Sequence, residues 1–364
     1  MGLTPTFQVE AVGGCIPHLS LINTAHLDDN VPDSLMSFSC RPDCTVMNRD
    51  HIDLNPELES KLDSSLAEFF IEFKTKKHDD PFRLKPTADN TEADNTEGRL
   101  MHMAKGEAST VTGQITAYTT SILGTQYRTH TFLVLIVEKF ARLIRWDRGG
   151  AVVTERIYYD TEPHLFEFLI RYNYADSSMR GHDVTVHDAT ADEAREARIV
   201  VKELQNVNRL VTVDIQGQHY VIGAPCARPE IPVGRWTRTS IAYGCQEKAR
   251  VFLKDSWRVF HPGMIPEADI YTTLQQSSVR NVPRCLVGGD ISDETYHGTK
   301  THNFVQFSLN PASKKITHYR HHRLVLDTVG RNLYDFKCSK EMVHAIHASL
   351  IGKYIISYWQ ITVF

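Results

Sequence analysis

Two apolar, β-prone runs at 140–146 and 151–157 flank Asp147-Arg148-Gly149-Gly150. A short Asp/Gly-bearing turn between such runs closes a β-hairpin, which commits the middle of the chain to an antiparallel sheet. The stretch just before it, 128–137, is also β-rich and partly alternating. Helical periods follow at 163–174, with proline at its start, and at 190–206, which opens on acidic residues. A second hairpin is expected where 210–215 and 219–222 meet across Gln216-Gly217-Gln218. Strands interleaved with helices in this way define an α+β chain.

The length of 364 residues suits two domains. With 41% hydrophobic and 23% charged residues, the composition excludes wholesale disorder, collagen and coiled coil. A net charge of −4 gives no global field toward nucleic acid or anionic membrane. The seven cysteines are scattered with no CxxC pair, which argues against a disulfide framework or a four-ligand zinc site and for an intracellular setting, cytoplasm or nucleus. No secretory leader and no apolar run of spanning length is evident, so no membrane partner is expected.

Residues 1–35 read as an irregular lead-in, with no sustained period before 40. A helical stretch at 56–67 precedes a strand at 69–74. The immediate duplication Ala-Asp-Asn-Thr-Glu at 88–97 reads as a solvated loop, and 110–125 as a helix. The three prolines of 225–232 mark the expected boundary between an N-terminal α/β domain, 36–224, and a second domain, 225–364. Beyond it come short strands through 254, a helix at 266–276, a proline and double-glycine turn, a loop, a strand at 323–327 and a helix at 341–357.

In the second domain a β-run ends at Lys254, and thirteen residues later Glu267 opens a helical stretch. An ammonium on a strand can neutralise phosphate charge, and a helix carboxylate can fix its flexible stem, as in a protein kinase small lobe. Taken alone, a strand-end lysine and a helix-start glutamate are more often simply exposed. The surrounding text adds weight. Lys254-Asp-Ser-Trp-Arg258, Asn281-Val-Pro-Arg284 with Gly288-Gly-Asp290, and Arg323-Leu-Val-Leu-Asp-Thr-Val-Gly330 resemble the fungal-type protein kinase family in order and spacing. Upstream, Gly113-Gln114, Tyr118, Gln126-Tyr-Arg-Thr129 and Ala141-Arg-Leu-Ile-Arg-Trp-Asp-Arg148 resemble that family's region preceding the kinase fold. The likeness runs roughly over 36–351.

The resemblance implies a partial kinase domain over 225–364 that takes ATP with Mg2+, and, in a full-length form, phosphorylates Ser or Thr of a protein substrate. Lys254 would be the phosphate-pairing lysine and Glu267 its helix partner. The strand 323–327, with Asp327 at its end, would lead to the hinge that receives adenine, and Gly234 would begin the loop over the phosphates. The chain departs from the family at two places. Trp236 stands where a second glycine would let backbone N–H groups approach phosphate, and its ring would obstruct that approach. No Asp-Phe-Gly occurs, and no HRD-type loop follows the last helix, so the chain as written reads as truncated and catalytically incomplete. Gly352-Lys-Tyr can be encoded by a string resembling a splice donor, which suggests that the text from about 352 onward is retained intron.

The first domain carries a different constellation. Asp43 is followed by Glu72 and Lys74 on a β-run, where alternation turns both side chains the same way. Gln114 and Tyr118 share one face of the next helix. This order resembles the PD-(D/E)xK nuclease fold, in which Asp43 and Glu72 would hold Mg2+ and Lys74 would orient or deprotonate a water for phosphodiester hydrolysis. Nucleic acid is a partner only under this alternative, in which Arg142, Arg145 and Arg148 around Trp146 could track a phosphate backbone. Otherwise the hairpin is a solvated, aromatic-bearing edge. A third reading makes both domains non-catalytic scaffolds. His297, His302, His318, His321 and His322 are too loosely spaced for a metal site and read as solvated histidines.

Overall fold

This computed structural model describes residues 16–27, 40–82, 107–226, 230–291, 297–308, 315–331 and 333–358. The chain is α+β and forms two compact units, each with its own sheet. The duplicated 88–97 segment lies outside the described residues.

The first unit comprises 1–184 with the returning segments 229–234 and 298–319. Its elements are β1 (Leu19–Asn23), β2 (Cys44–Asn48), α1 (Arg49–Leu54), β3 (Ala67–Lys74), α2 (Glu107–Thr125), β4 (Thr131–Val137), β5 (Phe140–Asp147), β6 (Gly150–Val153) and α3 (His164–Tyr174). The sheet runs β1-β2-β3-β4-β5-β6, antiparallel except that β3 and β4 are parallel. A parallel pair needs a crossover, and α2 supplies it. Alternation along β3 sorts the core. Phe70 packs with Ile115, Tyr118 and Ile122 of α2 on one face, while Phe69 and Ile71 pack with Leu169 and Tyr172 of α3 on the other. The helices therefore sandwich the sheet.

The expected hairpin is β5–β6, pairing Asp147 with Gly150. Its turn is locked by Asp147, whose Oδ1 accepts the Gly149 N–H at 2.8 Å and the Thr301 hydroxyl at 2.7 Å, and whose Oδ2 accepts the Lys300 N–H at 2.7 Å. The lead-in contains a strand that the sequence reading lacks. β1 is only five residues long, too short to show a period, and is defined by pairing to β2. Of the helix expected at 56–67, only Pro56–Ser60 winds, as a 3-10 turn, and Ala67 already belongs to β3.

The second unit comprises 185–228, 235–297 and 320–364. It holds β7 (Val186–Asp188), α4 (Ala191–Val200), β8 (Val211–Ile215), β9 (Gln218–Ile222), β10 (Arg238–Gly244), β11 (Ala249–Val259), α5 (Glu267–Gln276), β12 (Cys285–Asp290), β13 (Tyr319–Leu326) and α6 (Ser339–Tyr358). The sheet order is β12-β13-β11-β10-β9-β8-β7. A capping box starts α4, with Thr190 and Glu193 satisfying each other's N–H groups. The β8–β9 turn has Gln216 and Gly217 both at positive φ, 55° and 79°, the backbone a two-residue hairpin requires.

The unit boundary corrects the expected one. β9 pairs with β10 through Ala242 and Ile222, so β7–β9 belong to the second sheet and the division falls at 184/185. Within the stretch 225–232, residues 230–232 are grouped with the first unit, as is Gly234, whose N–H donates to the Arg148 carbonyl at 2.9 Å. The double-glycine turn is also corrected. Gly288 and Gly289 lie within β12, paired with Leu324 and Arg323. A Cβ on Gly288 would stand 2.7 Å from the Leu324 Cβ and 2.9 Å from the Ala268 Cβ, so the missing side chain is the space into which α5 packs.

Candidate functional site

The sheet order puts β13, the expected hinge strand, beside β11, which carries Lys254, and α5 connects β11 to β12. Glu267 is the first residue of α5, an acidic position that the helix dipole favours. From there its carboxylate accepts from Lys254 Nζ through both oxygens, at 2.7 and 2.8 Å. The two side chains are 24% and 25% exposed, so the pair faces solvent on one side.

The other expected nucleotide residues are Asp327 and Gly234. The Asp327 carboxylate accepts the Arg284 N–H at 3.0 Å and the Thr328 hydroxyl at 2.9 Å, and its own N–H donates to the Arg284 carbonyl at 3.0 Å. These bonds close the free ends of β12 and β13. Gly234 takes the left-handed backbone, φ 96°, that favours glycine, and its N–H donates to the Arg148 carbonyl at 2.9 Å. Trp236 takes the left-handed backbone a loop glycine would supply, φ 42°, and its ring is buried, 3% exposed, with the Arg238 guanidinium 6.0 Å from its centroid. The ring therefore does not stand out from the loop as the sequence suggested.

Three of the histidines expected to be solvated are interior: His297, His321 and His322 are buried. His321 Nε2 meets Asp255 Oδ1 at 2.6 Å, Arg323 Nε donates to Asp255 Oδ2 at 3.0 Å, and Trp257 stacks on the His321 ring at 4.7 Å. Burial pushes the Asp255 carboxyl up, but His321 and Arg323 outweigh it and hold the group far below the usual carboxylate range. His322 Nδ1 lies 2.9 Å from Asp290 Oδ1, and Arg258 grips the same carboxylate at 2.7 and 2.5 Å. Asp290 is likewise held low by His322 and Arg258 against its burial. The residues that form these networks are up to 68 positions apart, so no local spacing announces them.

In the first unit four of the five nuclease-like residues converge. Asp43, immediately before β2, accepts the Phe73 N–H through Oδ2 at 2.8 Å and so sits against β3 beside Glu72. Glu72 Oε1 receives Lys74 Nζ at 2.5 Å. Tyr118 of α2 lies over Glu72, but its hydroxyl proton goes to the Arg41 carbonyl at 2.9 Å, and the buried Glu72 Oε2 has no donor. Burial raises the Glu72 carboxyl above its ordinary value, and the Asp43 charge adds to the rise. Gln114 is half-buried one turn before Tyr118. The basic hairpin is not a solvated edge. Arg142 is buried and forks onto Asp80 at 3.0 and 2.8 Å, Arg145 meets Asp147 at 2.9 Å, and the buried Arg148 donates to the Arg128 carbonyl at 3.1 Å, with Trp146 also buried. Gln126 is structural: its Nε2 donates to the Ser64 and Ala67 carbonyls, both at 2.7 Å, anchoring the start of β3.

A profile of fungal protein kinase matches residues 95–355, more than two-thirds of the sequence. The chain belongs to the fungal protein kinase family. No curated protein matches it, and neither does any solved structure. No helix among the described residues is long and apolar enough to cross a membrane.

Proposed function

We propose that the second unit binds ATP, with Lys254 holding phosphate oxygens and Glu267 holding Lys254. The observation that carries this reading is the two-pronged contact of Lys254 with Glu267, between a strand and the helix that follows it, in a chain of the fungal protein kinase family. An ammonium has one more N–H than the two carboxylate oxygens take, and Lys254 keeps a solvent-facing side for it. The residues present therefore fit a nucleotide phosphate. ATP would come with Mg2+ on its phosphates and would supply the transferable γ-phosphoryl group. A form that also carries catalytic-loop aspartates would pass that group to a Ser or Thr hydroxyl of a protein substrate. Mg-ATP should raise the thermal midpoint of the chain and fail to do so for Lys254→Ala. An unshifted wild-type protein would sink the reading.

A second reading concerns the first unit and is favoured by the convergence of Asp43, Glu72, Lys74 and Tyr118. Two carboxylates, one with an oxygen lacking a donor, suit a hard divalent cation such as Mg2+. Lys74 stands where it could orient a water toward a phosphodiester. Mg2+-dependent cutting of DNA that vanishes in Lys74→Ala would support a nuclease. The absence of cutting across substrates and metals would leave this unit a scaffold.

A further inference from the structure

Glu267 can hold Lys254 only if the first turn of α5 is itself held, and the start of that helix lacks an ordinary cap. The N-cap residue is Pro266, whose carbonyl takes the Asp269 and Ile270 N–H groups at 3.1 and 3.2 Å but which offers no side-chain acceptor, so the N–H groups ahead of them need a partner from elsewhere. For Ala268, the residue next to Glu267, that partner is His322 of β13: the Ala268 N–H donates to His322 Nε2 at 3.4 Å, between two buried residues.

This contact fixes the chemistry of the ring. A backbone N–H can only donate, so Nε2 must be bare, and a neutral imidazole then carries its proton on Nδ1. Nδ1 faces Asp290 Oδ1 at 2.9 Å and donates to it. Asp290 sits opposite His322 in the β12–β13 pairing and is gripped by Arg258 through both oxygens. Arg258 is on β11, the strand of Lys254. The contacts thus close a circuit from Lys254 through Glu267, Ala268, His322, Asp290 and Arg258 back to the lysine strand. Gly288 lets the circuit close, because any Cβ there would meet Ala268 at 2.9 Å.

We propose that His322 is the positioning residue of the Lys254–Glu267 pair: its bare Nε2 holds the first turn of α5 and so sets where the Glu267 carboxylate stands. The proposal rests on the nucleotide-site reading for its functional meaning, while its structural content is testable without nucleotide.

The test compares His322→Gln, whose amide oxygen can still accept the Ala268 N–H, with His322→Asn, whose shorter amide reaches toward Asp290 but not Ala268. Each is made in the full chain, alone and with Glu267→Gln. The readouts are amide hydrogen exchange over 266–276 and the dissociation constant for Mg-ATP. In His322→Asn, exchange in the first turn of α5 should speed up about tenfold and Mg-ATP binding weaken about tenfold, while His322→Gln stays within about threefold of wild type. With Glu267→Gln already present, His322→Asn should add almost nothing to the binding loss, since it acts through that glutamate. Unchanged α5 exchange in His322→Asn would overturn the proposal, and so would an equal, additive binding loss in the Glu267→Gln background. If the wild type binds no Mg-ATP, the nucleotide reading falls, and the exchange comparison still decides whether His322 holds the helix.

Discussion

Lys254 and Glu267 lie on different elements, yet both oxygens of the glutamate stand within 2.8 Å of the lysine Nζ. Half-exposed ion pairs add little to stability, about 0–1 kcal/mol, so this pair has small structural value of its own. Lys254→Met should therefore leave the unfolding midpoint almost unmoved. A charge-assisted hydrogen bond to phosphate is worth roughly 1.5–3 kcal/mol, so the same change should weaken Mg-ATP about tenfold to a hundredfold. Titration calorimetry beside a denaturant melt separates the two effects. A large fall in stability with no change in affinity would make the pair purely structural.

Gly288 tests the packing under that pair. Adding one methyl puts a Cβ within 2.9 Å of both Leu324 and Ala268, closer than carbon atoms tolerate. Neither neighbour has a flexible end to withdraw, so α5 must lift off the sheet. Gly288→Ala should cost about 1–3 kcal/mol, the usual range for overpacking, and should weaken Mg-ATP along with stability. Gly217→Ala is the contrast, because its Cβ would meet nothing within 4 Å and its cost is confined to backbone strain at φ 79°. Urea melts of the two variants measure the difference.

The buried carboxylates predict the acid limb of stability. Asp255 is held below its ordinary range by His321 and Arg323, and Glu68 by Arg128 and His182, in each case against burial. A carboxyl depressed in the folded state stabilises above its unfolded value and loses that contribution as pH falls toward the folded one. Unfolding free energy should thus hold near neutrality and drop below about pH 4, where unfolded carboxylates begin to take protons. Asp255→Asn should remove about 3–5 kcal/mol at pH 7, by taking away the buried charge that His321 and Arg323 face, and should flatten the acid slope. Urea melts from pH 7 down to pH 3 give both numbers; an unchanged slope in the variant would assign the acid limb to other groups.

What the sequence made legible follows from how local each signal is. The β5–β6 hairpin and the Lys254–Glu267 spacing were readable because every partner lies within a few residues or on an adjacent element. Gly288-Gly289 misled because glycine is written alike for a turn and for a strand that a helix must approach, and only the Ala268 and Leu324 Cβ atoms tell them apart. The prolines at 225–232 signalled a break in local structure, but β9–β10 pairing joins the strands on either side of them in one sheet, and such pairing is not a local property. The histidines looked solvated because the acids that hold His321 and His322 are 66 and 32 residues away. Asp43, Glu72, Lys74 and Tyr118 were found because strand alternation and a helical turn are periodic. Whether they form a working site depends on a proton that no pattern reveals.

That proton gives the last prediction. Glu72 is buried, shares its surroundings with the Asp43 charge, and has one oxygen with no donor, so its carboxyl is raised above the ordinary value. For an acid raised in the folded state the sign reverses: the favourable contribution is present below the unfolded value and is lost as pH rises through the folded one. At neutral pH Glu72 therefore weighs against the fold. Glu72→Gln should melt higher than wild type in EDTA, by about 2–4 °C if the relief is about 1 kcal/mol in a unit of this size. A cation held by Asp43 and Glu72 would reverse the order, because ligand bound only by the folded state adds stability as its concentration passes the dissociation constant. Millimolar Mg2+ should then raise the wild-type midpoint and leave Glu72→Gln where it was. If Glu72→Gln melts lower in EDTA, or if Mg2+ lifts both proteins equally, the carboxylate is a structural anchor and the metal reading of the first unit is lost.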